Sequence, residues 1–274
     1  MKLLHGKDLA DFIQERQAKQ VRNLRQAEHV TPTLAIVRCD QGNSVIDTYV
    51  RMKQRYGGDI LIDVRQYQES IETIRERIRA LNADETVHGI IVQLPVVPAE
   101  ATDEILELVA PEKDVDGLGQ ASQFDPATPV AINWLLAGYG VELKHKRIAL
   151  VGSGRLVGAP LARMWRQSHL EVAVYEKSDA ERLPRELPEY DVIVAATGAP
   201  GIITADMLRA GAVVVDAGTA SENGVIVGDV GDDVYQRADL TLTPKRGGVG
   251  PLTVAALFDN VITAARRTAQ LRQQ

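Results

Sequence analysis

The feature that most constrains this chain is a rhythm in which short apolar runs are each followed by a stretch of helical periodicity. Thr33-Leu34-Ala35-Ile36-Val37, Ile60-Leu61-Ile62-Asp63-Val64 and Gly89-Ile90-Ile91-Val92-Gln93-Leu94 read as strands. Residues 7–29, Ile46 to Lys53 and 69–81 carry apolar positions at helical spacing, and Gln41-Gly42-Asn43 reads as a turn. Strands separated by helices require crossover connections and therefore a parallel sheet. The polar segment Pro111–Gly119 closes this half, and a helix at about 128–138 leads into the next. There Arg147–Val151, Glu171–Tyr175, Asp191–Ala195 and Gly211–Asp216 read as strands and 159–168 as a helix. The sheet pattern fades by residue 240, and 251–272 returns to helical spacing. The simplest arrangement is two α/β lobes with a cleft between them.

Composition narrows the class. With 31 Lys+Arg against 37 Asp+Glu, the net charge of −6 gives no support for nucleic-acid binding. A 45% hydrophobic content is too high for disorder, and no run approaches the roughly 20 apolar residues of a membrane helix. Charges at Lys2, Lys7 and Asp8 stand where a signal peptide would carry its apolar stretch, so a cytoplasmic location is expected. Cys39, the single cysteine, excludes an intrachain disulfide framework and reads as a buried small hydrophobe. His5, His29, His88, His145 and His169 are scattered, and no metal site is expected.

The strand ending at Val151 runs into Gly152-Ser153-Gly154-Arg155-Leu156-Val157-Gly158 and then a helix. Such a turn brings backbone N–H groups and a helix N-terminus to a diphosphate. Its G-x-G-x-x-x-G spacing is one residue longer than the usual fingerprint, and glycine turns also occur in sheets that bind nothing. Glu176 ends the next strand, where an acid typically accepts from ribose hydroxyls; a solvated charge satisfies the same pattern. Lys177 and Arg155 favour a 2′-phosphate that Glu176 would repel, so both NADP and NAD stay open.

In the first lobe, Tyr49 and Lys53 are four residues apart on one helical face. An aromatic ring beside an ammonium suits a flat conjugated substrate, although a snorkelling lysine next to a half-buried tyrosine fits the spacing equally. Gln93 stands at a strand C-terminus, where parallel sheets gather ligands, and is able to orient Lys53 without adding charge. Asp114 and Asp116 alternate in a loop with Gly117, to bind polar ring nitrogens or to cap a turn.

Four motifs then occur in order: Tyr49-Val50-Arg51-Met52-Lys53, Val92-Gln93-Leu94-Pro95, Lys113-Asp114-Val115-Asp116-Gly117 and Gly247-Gly248-Val249-Gly250-Pro251-Leu252-Thr253. With Pro126-Ala127-Thr128-Pro129, Leu156–Pro160 and Gly228-Asp229-Val230, the chain resembles, over nearly its whole length, the bifunctional methylenetetrahydrofolate dehydrogenase/methenyltetrahydrofolate cyclohydrolase family. The resemblance implies a folate-binding catalytic domain over 1–126, to which a helix at 252–274 returns, and a Rossmann-like dinucleotide-binding domain over 127–251. It implies Lys53 as the central catalytic residue, Tyr49 stacking on the folate, Gln93 tuning Lys53 and Asp116 anchoring the pterin. Leu94, Pro95, Gly248, Pro251 and Thr253 would complete the folate site. Gly152, Ser153, Gly154, Arg155, Val157, Gly158, Glu176, Lys177, Thr197, Gly198, Gly218 and Thr219 would hold NADP or NAD, with Thr219 near the nicotinamide.

The implied chemistry is oxidation of 5,10-methylenetetrahydrofolate followed by hydrolysis to 10-formyltetrahydrofolate. One-carbon metabolism, purine biosynthesis and a cytoplasmic homodimer follow from the same resemblance. Gly-Ser-Gly replaces the family's G-R-S at 152–154, Ile46 a serine, Ala127 a cysteine, and Lys245-Arg246 the V-P of T-P-V-P-G-G. Two other readings stand beside it: a catalytically silent folate- or nucleotide-binding paralogue, and a different two-domain NAD(P)-dependent dehydrogenase acting on an amino acid or a shikimate-like acid.

Overall fold

The computed structural model describes residues 1–40, 42, 44–222 and 225–272. Gln41 and Asn43 of the expected turn lie outside the described residues; Gly42 between them has φ +92°. By compactness the chain divides into two units, one of Asp11–Ala127 and Val254–Gln274, the other of Met1–Ala10 and Thr128–Thr253.

The chain opens with β1 (Lys2–Leu3) and α1 (Gly6–Ala27), whose first turn holds Asp8 and last turn Arg25, the signs that the helix dipole favours. Then follow β2 (Thr33–Arg38), α2 (Ser44–Asp59), β3 (Asp63–Gln68), α3 (Ile74–Ala83), β4 (Gly89–Gln93) and α4 (Thr102–Glu107). These three strands form a parallel sheet in the order β3-β2-β4. β2 is central and buried at every position, which is why Thr33–Arg38 reads as a continuous apolar run rather than an alternating one. Ile74, Ile78 and Leu81 bury one face of α3 against it, within a core that also holds Cys39. Beyond β4, Ile90 bridges Asp114 in parallel fashion and donates its N–H to the Lys113 carbonyl at 2.7 Å, so the loop of 111–119 hangs from that strand.

Two expectations for this unit are corrected. Residues 60–62 are not strand: Leu61 is left-handed (φ +66°), Ile62 N–H bonds Gly57 O at 2.8 Å and Leu61 N–H bonds Gly58 O at 3.1 Å. This is a Schellman closure of α2 with leucine in the glycine position, and the apolar Ile60 and Ile62 plug the core from a turn. Nor does α3 begin at 69: Ser70 N–H bonds the Thr73 hydroxyl (3.1 Å), which itself donates to Glu69 (2.7 Å), so side chains hold the backbone out of the helix until Ile74.

The second unit contains α5 (Ala127–Gly138), β5 (Ile148–Val151), α6 (Gly158–Gln167), β6 (Val172–Tyr175), α7 (Leu183–Glu186), β7 (Val192–Ala195), β8 (Val213–Asp216), the hairpin β9 (Ala220–Glu222) and β10 (Val225–Val227), and β11 (Thr241–Leu242); of the last helix, α8 (Val249–Leu271), only the residues to Thr253 group with it. Its sheet is parallel, in the order β1-β11-β8-β7-β5-β6. Sheet pairing therefore continues past residue 240: β11 has two residues, too few to show a period, and takes its identity from its neighbours β8 and β1. Because β1 pairs there, Met1–Ala10 group with this unit by compactness. Among the described residues, no helix is long and apolar enough to cross a membrane.

Candidate active site

α2 carries Tyr49 and Lys53 one turn apart, both half-buried on the same face. Lys53 Nζ donates to Gln93 Oε1 at 2.7 Å, and Gln93 Nε2 donates in turn to the Leu94 carbonyl at 3.1 Å, just ahead of Pro95. The ammonium thus meets a neutral acceptor. Burial holds the Lys53 pKa below the ordinary lysine value, opposed by the charge of Asp116. Burial likewise pushes the Asp116 carboxyl up, and the lysine pulls it back.

The two loop aspartates divide their labour. Asp114 is buried and accepts from Gly117 N (3.2 Å) and Gly119 N (2.8 Å), which makes it the cap of the turn. Asp116, two residues on, is left to the lysine. Two supports were not legible from spacing. Asn260, on the Val254–Gln274 stretch of α8, donates to Val115 O at 2.9 Å and Asp125 O at 3.1 Å, gripping the backbone next to Asp116. Arg38, buried at the end of β2, bonds Asp40 (2.9 Å) and Asp47 in the first turn of α2 (2.7 Å), tying that helix to the sheet. Of these, only the Arg38–Asp40 charge pair at a strand end left a trace in the sequence.

In the other unit, β5 ends in the glycine turn. Its neighbours are β6 on one side and β7 on the other, so the turn stands where the strand order reverses, the ligand-binding position of such sheets. Gly152 has φ +103°, and a Cβ there would lie 2.4 Å from the Ala196 carbonyl oxygen; one on Gly158 would lie 2.0 Å from the Gly152 carbonyl oxygen. Gly154 is exposed with nothing within 4 Å of such an atom. The outer glycines let the turn close while the middle one leaves its backbone approachable.

Val157 precedes α6, and Arg155 and Lys177 are exposed. Ser153 Oγ donates to Glu176 Oε1 at 2.9 Å. Thr197 and Gly198 follow β7, and their N–H groups donate to Asp229 Oδ2 at 2.6 and 3.3 Å. Gly218 and Thr219 follow β8, with Gly218 N–H on Asp216 Oδ1 at 3.0 Å. Asp216 also accepts from the N–H groups of Asp229 and Val230, both at 3.1 Å, and burial pushes its carboxyl up. The braces Asp216 and Asp229 were missed as functional; the Gly228-Asp229-Val230 motif marked only the resemblance.

Gly248, Pro251 and Thr253 belong to this same unit, at the entry to α8, where Thr253 Oγ1 lies 3.4 Å from Thr128 Oγ1. Lys245 is paired with Asp232 at 2.6 Å. The described residues contain no group of three or more His, Cys, Asp or Glu able to hold a metal.

Residues 4–116 match the sequence model of the tetrahydrofolate dehydrogenase/cyclohydrolase catalytic domain, and residues 126–269 that of the NAD(P)-binding domain of the same family. A bifunctional protein FolD from Nitratiruptor sp. is 35% identical, covering 97% of this chain and 99% of its own. Among solved structures, the bifunctional FolD dehydrogenase/cyclohydrolase of Campylobacter jejuni superposes with a TM-score of 0.91 at 31% identity, covering 97% of this chain and 99% of that one. The methylenetetrahydrofolate dehydrogenase-cyclohydrolase of Trypanosoma brucei, complexed with NADP cofactor and an inhibitor, gives 0.90 at 28% identity with 97% of each chain covered. With both family models matched over most of its length, the chain belongs to the tetrahydrofolate dehydrogenase/cyclohydrolase family.

Proposed function

We propose that the protein oxidises 5,10-methylenetetrahydrofolate to 5,10-methenyltetrahydrofolate and hydrolyses that product to 10-formyltetrahydrofolate. The observation that carries the reading is the buried Lys53 ammonium, held at 2.7 Å by an uncharged amide and acted on by one carboxylate. A lysine whose pKa is held down by burial gives up and takes back a proton more readily than an ordinary one.

In the hydrolytic step Lys53, as the neutral amine, accepts the proton that water loses on attacking the methenyl carbon. As the bond from that carbon to N5 breaks, the adduct's hydroxyl proton is taken up at N5, and the formyl carbonyl forms on N10. Gln93 fixes the direction of Nζ without adding charge, Tyr49 stacks on the pteridine, and Asp116 anchors its polar edge while moderating the lysine. Leu94, Pro95, Gly248, Pro251 and Thr253 complete the folate contacts.

For the oxidative step, a bound nicotinamide dinucleotide supplies the hydride acceptor. The chain fits such a group: the turn closed by Gly152 and Gly158 leaves Gly154 open for a diphosphate, with the start of α6 behind it. Ser153, Arg155, Val157, Glu176, Lys177, Thr197, Gly198 and Gly218 would hold the dinucleotide, with Thr219 near its nicotinamide side. The family resemblance alone supports a cytoplasmic homodimer feeding one-carbon units to purine biosynthesis.

The test is a spectrophotometric assay of methylenetetrahydrofolate oxidation with each dinucleotide, followed by hydrolysis of added methenyltetrahydrofolate. Turnover in both is expected. Calorimetric folate binding without turnover in either would instead make the chain a silent paralogue.

A further inference from the structure

We propose that Glu176, held across the glycine turn by Ser153, makes this chain select NAD over NADP. The inference rests on the dehydrogenase reading above. β5 and β6 pair with Val151 opposite Tyr175, and Gly152 N–H donates to the Tyr175 carbonyl at 2.8 Å. Glu176 therefore leaves β6 directly beside the first residue of the turn. In a sheet of this order that is where an acid receives the ribose hydroxyls of the adenosine half.

Ser153 Oγ donates to Glu176 Oε1 at 2.9 Å. Ser153 Oγ and, in a capping box, the Asp179 N–H restrain the Glu176 carboxylate, which as a pure acceptor has lone pairs left for ribose hydroxyls. Residue 153 thereby spends its donor on the acid rather than on a phosphate. Glu176 N–H donates to Asp179 Oδ2 at 2.9 Å, and Asp179 is ion-paired with Arg182 at 2.9 Å, so Glu176 itself carries the negative sign at this edge. A 2′-phosphate brought here would meet a fixed negative charge at hydrogen-bond range.

Arg155 and Lys177 pull the other way. Glu176 and both cations are exposed and screened alike; what favours the acid is its place, bonded to Ser153 at 2.9 Å beside the first residue of the turn. The acid held at the turn outweighs the two cations.

Isothermal titration of the purified chain with NAD and, separately, NADP reads the preference without turnover. The parent should bind NAD at least about tenfold more tightly, a factor ordinary for one well-placed charge. In Glu176→Gln the ratio should fall to within about threefold, mainly through tighter NADP binding. Ser153→Ala should weaken NAD by a smaller factor, and melting curves of both variants establish that the fold is kept. Tighter NADP binding by the parent, or a ratio unmoved in Glu176→Gln, overturns the proposal. Binding of neither dinucleotide removes the dehydrogenase reading, and this inference with it.

Discussion

The candidate centres of the two units are built on opposite principles. Around Lys53 the chemistry resides in side chains from distant parts of the sequence: α2 gives the lysine, the end of β4 its amide, and a loop its carboxylate. Around Gly152 it resides in backbone, with a contiguous turn that side chains are kept out of. The first is tuned by electrostatics; the second takes a diphosphate by shape, with the Glu176 charge at its edge, so substitutions should separate proton chemistry from dinucleotide affinity.

The largest separation is expected from Lys53→Met. Removing the proton carrier should lower methenyltetrahydrofolate hydrolysis by about a thousandfold while dinucleotide affinity stays put. Parallel rate and titration measurements check both halves, and hydrolysis at the parent rate would break the comparison at its root.

Gln93→Glu comes next. A carboxylate at the amide's position, 2.7 Å from Nζ, should raise the Lys53 pKa. The active form is the neutral amine, so a higher pKa leaves less of it at a given pH. The rising limb of the hydrolysis rate against pH should therefore move to higher pH, with a lower rate at neutrality. A limb that stays in place would separate Lys53 titration from the rate.

On the backbone side, Gly152→Ala places a methyl group 2.4 Å from the Ala196 oxygen at φ +103°. A cost of about 1–3 kcal/mol in urea unfolding is expected, together with weakened dinucleotide binding. The smallest effect is expected from Asp229→Asn, which exchanges the charged acceptor of the Thr197 and Gly198 amides for a neutral one. Dinucleotide affinity should fall roughly tenfold, the worth of one charge-assisted hydrogen bond. An unchanged affinity would mean that those loops hold their shape without the brace.

The same contrast explains what could be read in advance. The turn is local, so strand, glycines and helix announce themselves within a dozen residues, and the Tyr49–Lys53 spacing is equally local. Asn260 reaches Val115 across 145 positions of sequence, and no periodicity records such a contact. β11 is invisible for its brevity, and Ile60-Leu61-Ile62 misleads because burial at a helix end uses the same apolar residues as a strand. Asp114 and Asp116 look alike as letters; only the loop's path makes one a turn cap and leaves the other to the lysine.

That path has a mechanical consequence. The loop bearing Asp116 is bonded to Ile90, and Gln93 lies three residues along the same strand, so amide and carboxylate ride on one beam. Any sliding of β4 against α2 carries both partners together, and the one free coordinate is their common separation from Nζ. Lysine basicity, depressed first by burial, then also follows that helix-to-strand distance through Asp116, so a ligand that pressed on either element would shift it.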